Sequence, residues 1–124
     1  MASRRQRRVA QQIHRELGQL LLREVRDPRL AEVTITEVRV TPDLLLARIY
    51  FSVLGEAEAK QEAMAALERA NGFFRSQLAE RLSLRFVPEL TFMLDKSAEY
   101  GQRIDQLLDQ IAAETLPEDG PESS

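Results

Sequence analysis

Cysteine is absent. That excludes disulfides, thiolate nucleophiles and cysteine-ligated metals, and a small chain that folds without disulfides is at home in a reducing cytoplasm. Long apolar runs are missing too. Runs such as residues 44–47 and 63–67 reach only four or five residues, against the roughly 20 that a bilayer-spanning helix needs. The opening Met1-Ala2-Ser3-Arg4-Arg5-Gln6-Arg7-Arg8 is basic and has neither an apolar h-region nor a small-residue cleavage site, so no secretory signal is expected. Histidine occurs once, as His14. Without cysteine or a matching Ser–Asp pattern beside it, His14 reads as a packed or half-exposed structural residue rather than a catalyst. No Gly-rich loop ends in Lys-Ser/Thr. Asp105 and Asp109, one helical turn apart, read as a solvated face rather than a hard-metal site. The expectation is a protein that is not an enzyme and holds no cofactor and no metal.

What is present suffices for one domain. The 124 residues are 44% hydrophobic and 30% charged, enough for one core but not two. The net charge of −3 taken alone argues against a nucleic-acid partner, but its distribution reverses that reading. Residues 1–30 hold eight arginines against three acids, residues 31–85 seven bases against eight acids, and residues 86–124 two bases against nine acids. The chain is dipolar, basic at its beginning and acidic at its end.

Val9, Ile13, Leu17, Leu20 and Leu21 recur at helical spacing and predict a helix over residues 4–26. At about 100° per residue they share a sector of roughly 120°. Arg4, Arg8, Arg15, Arg23 and Arg26, with Gln12 and Gln19, fall on a second sector of roughly 100°. Asp27-Pro28 ends the helix, because proline keeps its predecessor out of the α region. Residues 33–40 are rich in β-branched side chains and predict a strand whose alternation changes phase, so a bulge is expected near Thr36-Glu37. Thr41-Pro42-Asp43 is a turn. A second strand over 45–53 sends Leu45, Ala47, Ile49, Phe51 and Val53 one way and Leu46, Arg48, Tyr50 and Ser52 the other, completing a hairpin.

Residues 56–70 predict a helix with Ala59, Ala63, Leu67 and Ala70 on one face. Asn71-Gly72 interrupts it as a bend, and residues 73–82 resume with Phe74, Leu78 and Leu82. A third strand lies within 84–94, with Leu90, Phe92 and Leu94 on one parity and Pro88 at its beginning or on an edge. A last helix is expected over 98–114 on Tyr100, Ile104, Leu107, Leu108 and Ile111. The acidic tail over 115–124 is expected to be disordered, leaving a single domain over 1–114. The order α-β-β-α-α-β-α describes an α+β fold with helices packed on one face of a three-stranded sheet.

Two readings of the arginine stripe stand on charge alone: contact with RNA, or a solvated face paired with Glu16, Glu24 or the acidic final third. Asn71-Gly72 likewise reads as a kink, a phosphate contact, or both. Which face of the sheet carries Arg39 and Arg48 is open. Tyr50 reads as packing in the core or at an edge rather than stacking on a base from an open face.

Three stretches sharpen the choice. Arg26-Asp27-Pro28-Arg29-Leu30 follows the first helix. Val33-Thr34-Ile35-Thr36-Glu37-Val38-Arg39-Val40-Thr41-Pro42-Asp43 forms the first strand and turn. Arg85-Phe86-Val87-Pro88-Glu89-Leu90-Thr91-Phe92 leads to Asp95 and Ser97. Over roughly residues 4–112 the chain resembles the ribosome-binding factor A family, and its bent helix pair resembles a KH-like type II domain. An ordinary KH domain clamps a backbone with a Gly-X-X-Gly loop, which this sequence lacks. The family has an Ala-X-Gly kink instead, matched by Ala70-Asn71-Gly72.

The resemblance implies a cytoplasmic, monomeric factor without a cofactor. It implies binding to immature small (30S) ribosomal subunits, contact with 16S rRNA, support for processing of the 5′ end, and departure before translation. It places the basic first helix, with Arg4, Arg8, Arg15 and Arg23, and the kink Ala70-Asn71-Gly72 at the RNA surface, and Arg75 and Arg85 after the kink are further candidates for RNA contact. Glu80, set among Arg75, Arg81 and Arg85, departs from the family's basic character there. The second reading is a protein-interaction module that docks on ribosomal proteins or an assembly GTPase and touches RNA little.

Overall fold

Ser3 starts the first helix. Its hydroxyl accepts from the Gln6 N–H at 3.1 Å, and the Gln6 side chain accepts from the Ser3 N–H at 2.8 Å. This reciprocal capping box satisfies two amides that a helix end leaves without partners. In this computed structural model, which describes residues 2–84 and 87–96, the helix α1 spans Arg4–Arg23. The expected last helix over 98–114 (with Asp105 and Asp109), the tail and Arg85 lie outside the described residues.

The expected helix to residue 26 ends earlier. The N–H groups of Glu24 and Val25 both donate to the Leu20 carbonyl, at 2.9 and 3.0 Å, as the helix unwinds. Asp27 must be extended before Pro28, and it is (φ −90°, ψ 119°). Its carboxylate caps a short 3-10 turn, Pro28–Leu30, by accepting from the Arg29 N–H at 3.0 Å. The chain needs the residues before Asp27 to reach that conformation. The Arg29 guanidinium grips the same carboxylate at 2.9 Å through both Nε and Nη2, which holds Asp27 below the usual carboxylate range.

Strand β1 (Val33–Val40) pairs antiparallel with β2 (Leu46–Val53), and β3 (Glu89–Leu94) joins β2 in parallel, in the order β1-β2-β3. The expected bulge is present between Ile35 and Glu37. It lets Ile35, Val38 and Val40 all point inward despite their mixed parity. Leu45 departs from expectation: it precedes β2 and is 53% exposed. Asp43 accounts for this by accepting from the Thr41 hydroxyl at 2.7 Å and the Leu45 N–H at 3.0 Å, while Leu44 takes a left-handed φ of 63°.

Helices α2 (Ala57–Arg69) and α3 (Asn71–Arg81) are separated by Ala70 alone, at φ −88° and ψ 2°. The break therefore sits one residue earlier than expected, and Asn71 and Gly72 open α3. The Asn71 side chain fixes the break by donating to the Leu90 carbonyl at 3.0 Å.

The helices cover one face of the sheet. Ala47, Ile49, Phe51, Leu90 and Phe92 meet Ile13, Leu17, Leu20, Leu67 and Phe74 in one core. Phe74 and Phe92 are tilted rings 5.8 Å apart. Pro88 is fully buried just before β3, where a proline withdraws no ladder bond. The opposite face carries Glu37, Arg39, Arg48, Tyr50, Thr91 and Met93. Tyr50 is thus half-buried on the face that no described helix covers, not in the core or at an edge. Strand parity put it beside Arg48, and no described element covers that side.

Gln6 is the one buried polar side chain among the described residues, and its Nε2 donates to the Val40 carbonyl at 2.9 Å. Changing Gln6→Ala removes that bond and half of the capping box. A urea titration should show a loss of about 1–3 kcal/mol of unfolding free energy.

Candidate nucleic-acid interface

Val40, Ala47 and Leu90 form one row across the three strands. Gln6 of α1 holds the carbonyl at one end of the row, and Asn71 of α3 holds the carbonyl at the other. Strands lie about 4.8 Å apart, so the two anchored carbonyls are separated by roughly 10 Å. The first turns of the basic helix and the break between α2 and α3 are thereby brought to the same end of the sheet. Residues far apart in sequence become one surface.

Arg4 and Arg8 flank Gln6, each about 3 Å away along the helix axis. Together with Arg5 and Arg7 they are exposed in the first turns of α1, and no acid lies in the first turn. Arg7 donates to the Ala2 carbonyl at 2.7 Å. Arg4, Arg5 and Arg8 have no hydrogen-bond or ion-pair partner among the described residues. A helix favours negative charge at its N-terminus, so each arginine there works against the macrodipole by about 0.3–1 kcal/mol at low salt. Helix stability does not explain this cluster.

The remaining predicted arginines are placed differently. Arg15 is exposed and lies 3.5 Å from Glu16. Glu16 also accepts from Arg81 at 3.4 Å, and Arg81 reaches Glu24 as well, joining the end of α3 to α1. On the opposite flank of α1, His14 Nε2 lies 3.1 Å from the Ile35 carbonyl, in the structural role expected of it. The arginine stripe therefore faces solvent on the α3 side of the helix. Arg23 ends α1, roughly 28 Å from Arg4 at 1.5 Å per residue, and does not join the cluster at the row. Arg75 donates to the Val87 carbonyl at 3.1 Å and so secures the segment before β3.

Gly72 is exposed, its φ is not left-handed, and a Cβ built there meets nothing within 4 Å. Neither the backbone nor the packing of the described residues requires glycine at this position. It does leave a smooth backbone at the first turn of α3, which has no acid and no side-chain cap. A helix N-terminus of that kind suits an anion. Among the described residues, no group of three or more His, Cys, Asp or Glu side chains gathers to hold a metal, and no helix is long and apolar enough to cross a membrane.

The family model for ribosome-binding factor A matches residues 5–108. The crystal structure of ribosome-binding factor A from Thermus thermophilus is similar at 29% identity and a TM-score of 0.65, covering 72% of this chain and 93% of that one. A solution structure of a Thermotoga maritima protein assigned to ribosome binding factor A is 33% identical, with a TM-score of 0.54 and coverage of 71% and 80%. A homology model of the Thermus thermophilus factor, fitted into a cryo-EM map of its complex with 30S, is 30% identical, with a TM-score of 0.60 and coverage of 70% and 91%.

Because a methyl group fits freely at position 72, Gly72→Ala should raise stability by about 0.5–1 kcal/mol in a denaturant titration. A loss of stability would show that the glycine serves the fold.

Proposed function

The chain belongs to the ribosome-binding factor A family, and we propose that it binds the small ribosomal subunit during maturation by gripping 16S rRNA at one end of its sheet. The observation that carries this reading is the group of exposed arginines at the positive end of α1, at the same end of the sheet as the Ala70-Asn71-Gly72 break. Phosphate oxygens supply the negative charge that this helix end lacks, and the planar guanidinium binds them bidentately. Gly72 lets an RNA backbone come close to the first turn of α3. Asn71 acts mainly as the clamp that holds this turn to β3. The likeness to a factor fitted into a 30S complex supports the choice of particle.

In this reading Arg4, Arg8 and Arg15 neutralise phosphates, while Arg23, Arg75 and Arg85 contribute at the margins. Selectivity comes from the shape and single-stranded segments of the RNA. The protein acts as a cytoplasmic monomer without cofactor or catalytic step, supports maturation of the 16S 5′ end, and leaves before translation. An assembly GTPase is the partner to test for its release.

Binding to isolated small subunits should be tight and should weaken steeply with salt. Changing Arg4, Arg8 and Arg15 together to Glu should abolish it while the far-ultraviolet circular dichroism stays unchanged. Each lost phosphate contact should flatten the slope of log K against log[salt] by about 0.7–0.9. Gly72→Ala should weaken the same binding although it stabilises the fold. If the charge-reversed protein keeps its RNA affinity and loses only a ribosomal protein or GTPase, the chain is a protein-docking module instead.

A further inference from the structure

Phe73 has no part in the interface described so far. It is the one aromatic side chain among the described residues that is exposed, at 42%. We propose that it stacks an unpaired RNA base at the mouth of the groove between α1 and α3, while Arg8 across the groove holds the adjoining phosphate. This rests on the reading above that RNA crosses this end of the sheet.

The register of the two helices brings this pair together. Gln6 and Asn71 anchor α1 and α3 to the same strand row. Ten residues beyond Gln6 is Glu16, ten beyond Asn71 is Arg81, and these two meet at 3.4 Å. The helices therefore run side by side in the same direction for about 15 Å. Arg8, Gln12 and Glu16 recur every four residues on α1, as do Phe73, Gln77 and Arg81 on α3. Side chains so spaced share one face of a helix. Glu16 and Arg81 close one end of the two facing rows. At the other end stand Arg8 and Phe73, each two residues beyond its anchor. Asn71 and Arg75 turn instead to the Leu90 and Val87 carbonyls, on the β3 side of α3.

A lone exposed apolar side chain is ordinary; the surroundings of Phe73 are not. The buried Phe74 steadies its ring, 5.9 Å away and tilted by 60°. Gly72 before it is exposed and has open space around it. Across the groove, Arg4, Arg5 and Arg8 have no ion-pair partner among the described residues. The nearby acids are engaged or placed elsewhere. Glu16 and Glu24 hold Arg81. Glu80 lies about 10 Å further along α3. Asp43 accepts from Thr41 and Leu45 at the hairpin, and Glu89 belongs to the opposite face of the sheet. An unpaired nucleotide matches both halves of the groove, because every base has a π-face for an aromatic ring and a phosphate beside it. Leu94, near the last described residues, is about 13 Å along β3 from Leu90, at the other end of the sheet.

The sequence contains no tryptophan, so Phe73→Trp gives the full chain a single fluorophore. In the free protein it should emit as a water-exposed indole and be quenched by acrylamide. Against isolated small subunits, Phe73→Ala and Phe73→Leu should each weaken binding by about 5- to 100-fold. Circular dichroism and the salt slope should stay unchanged, because neither variant alters the charge. Phe73→Tyr and Phe73→Trp keep an aromatic face and should keep the affinity. Blue-shifted emission that resists acrylamide would overturn the proposal, since the position is then covered. Binding kept by Phe73→Leu but lost by Phe73→Ala would also overturn it, because an apolar contact with a ribosomal protein then replaces stacking. If both variants bind normally while the change of Arg4, Arg8 and Arg15 to Glu abolishes binding, the stacking proposal fails and the RNA reading stands. Binding indifferent to Phe73 and to the arginines alike sinks both.

Discussion

The row Val40–Ala47–Leu90 is the constraint on which the rest depends. Its two end carbonyls are held by amide side chains from different helices, Gln6 and Asn71. A buried carbonyl without a donor costs about 1–3 kcal/mol, so each bond also fixes where its helix can sit. Gln6 sets the start of α1 over the end of β1, and Asn71 sets the start of α3 over the beginning of β3. The basic turns and the backbone break become neighbours because the sheet brings together residues 40, 47 and 90.

Packing explains how α1 tolerates its own arginines. Val9, Ile13, Leu17 and Leu20 are each at most 2% exposed, and burying such a side chain contributes about 1.5–3 kcal/mol. Arginines set against the macrodipole cost about 0.3–1 kcal/mol each at low salt. The apolar stripe outweighs them, and the Ser3–Gln6 capping box secures the end where they act. A binding surface can therefore be carried on a helix terminus whose charge opposes its dipole.

Local patterns made much of this legible in the sequence. The phase change in 33–40 required a bulge, and the bulge lies where the parity breaks. The alternation in β2 separated Ala47, Ile49 and Phe51 from Arg48 and Tyr50. What escaped was set at long range. The break falls at Ala70 rather than at Asn71-Gly72 because Asn71 bonds Leu90, 19 residues away. Ser3-Arg4-Arg5-Gln6 has the spacing of a capping box, but the bond from Gln6 to Val40, 34 residues on, leaves no local trace. Parity assigns Tyr50 a face without telling whether anything covers it. The arginine cluster was visible as a stripe, yet only the fold separates Arg4 and Arg8, at the anchored row, from Arg23 at the far end.

Ultraviolet cross-linking of the protein to small ribosomal subunits, with RNA adducts mapped by mass spectrometry, tests the central claim most directly. Adducts on the peptides carrying residues 4–8 and 70–75 in the same complex would show that RNA lies across the surface gathered at the Val40–Ala47–Leu90 row. Cross-links confined to ribosomal proteins, or RNA adducts that spare both segments, would contradict it.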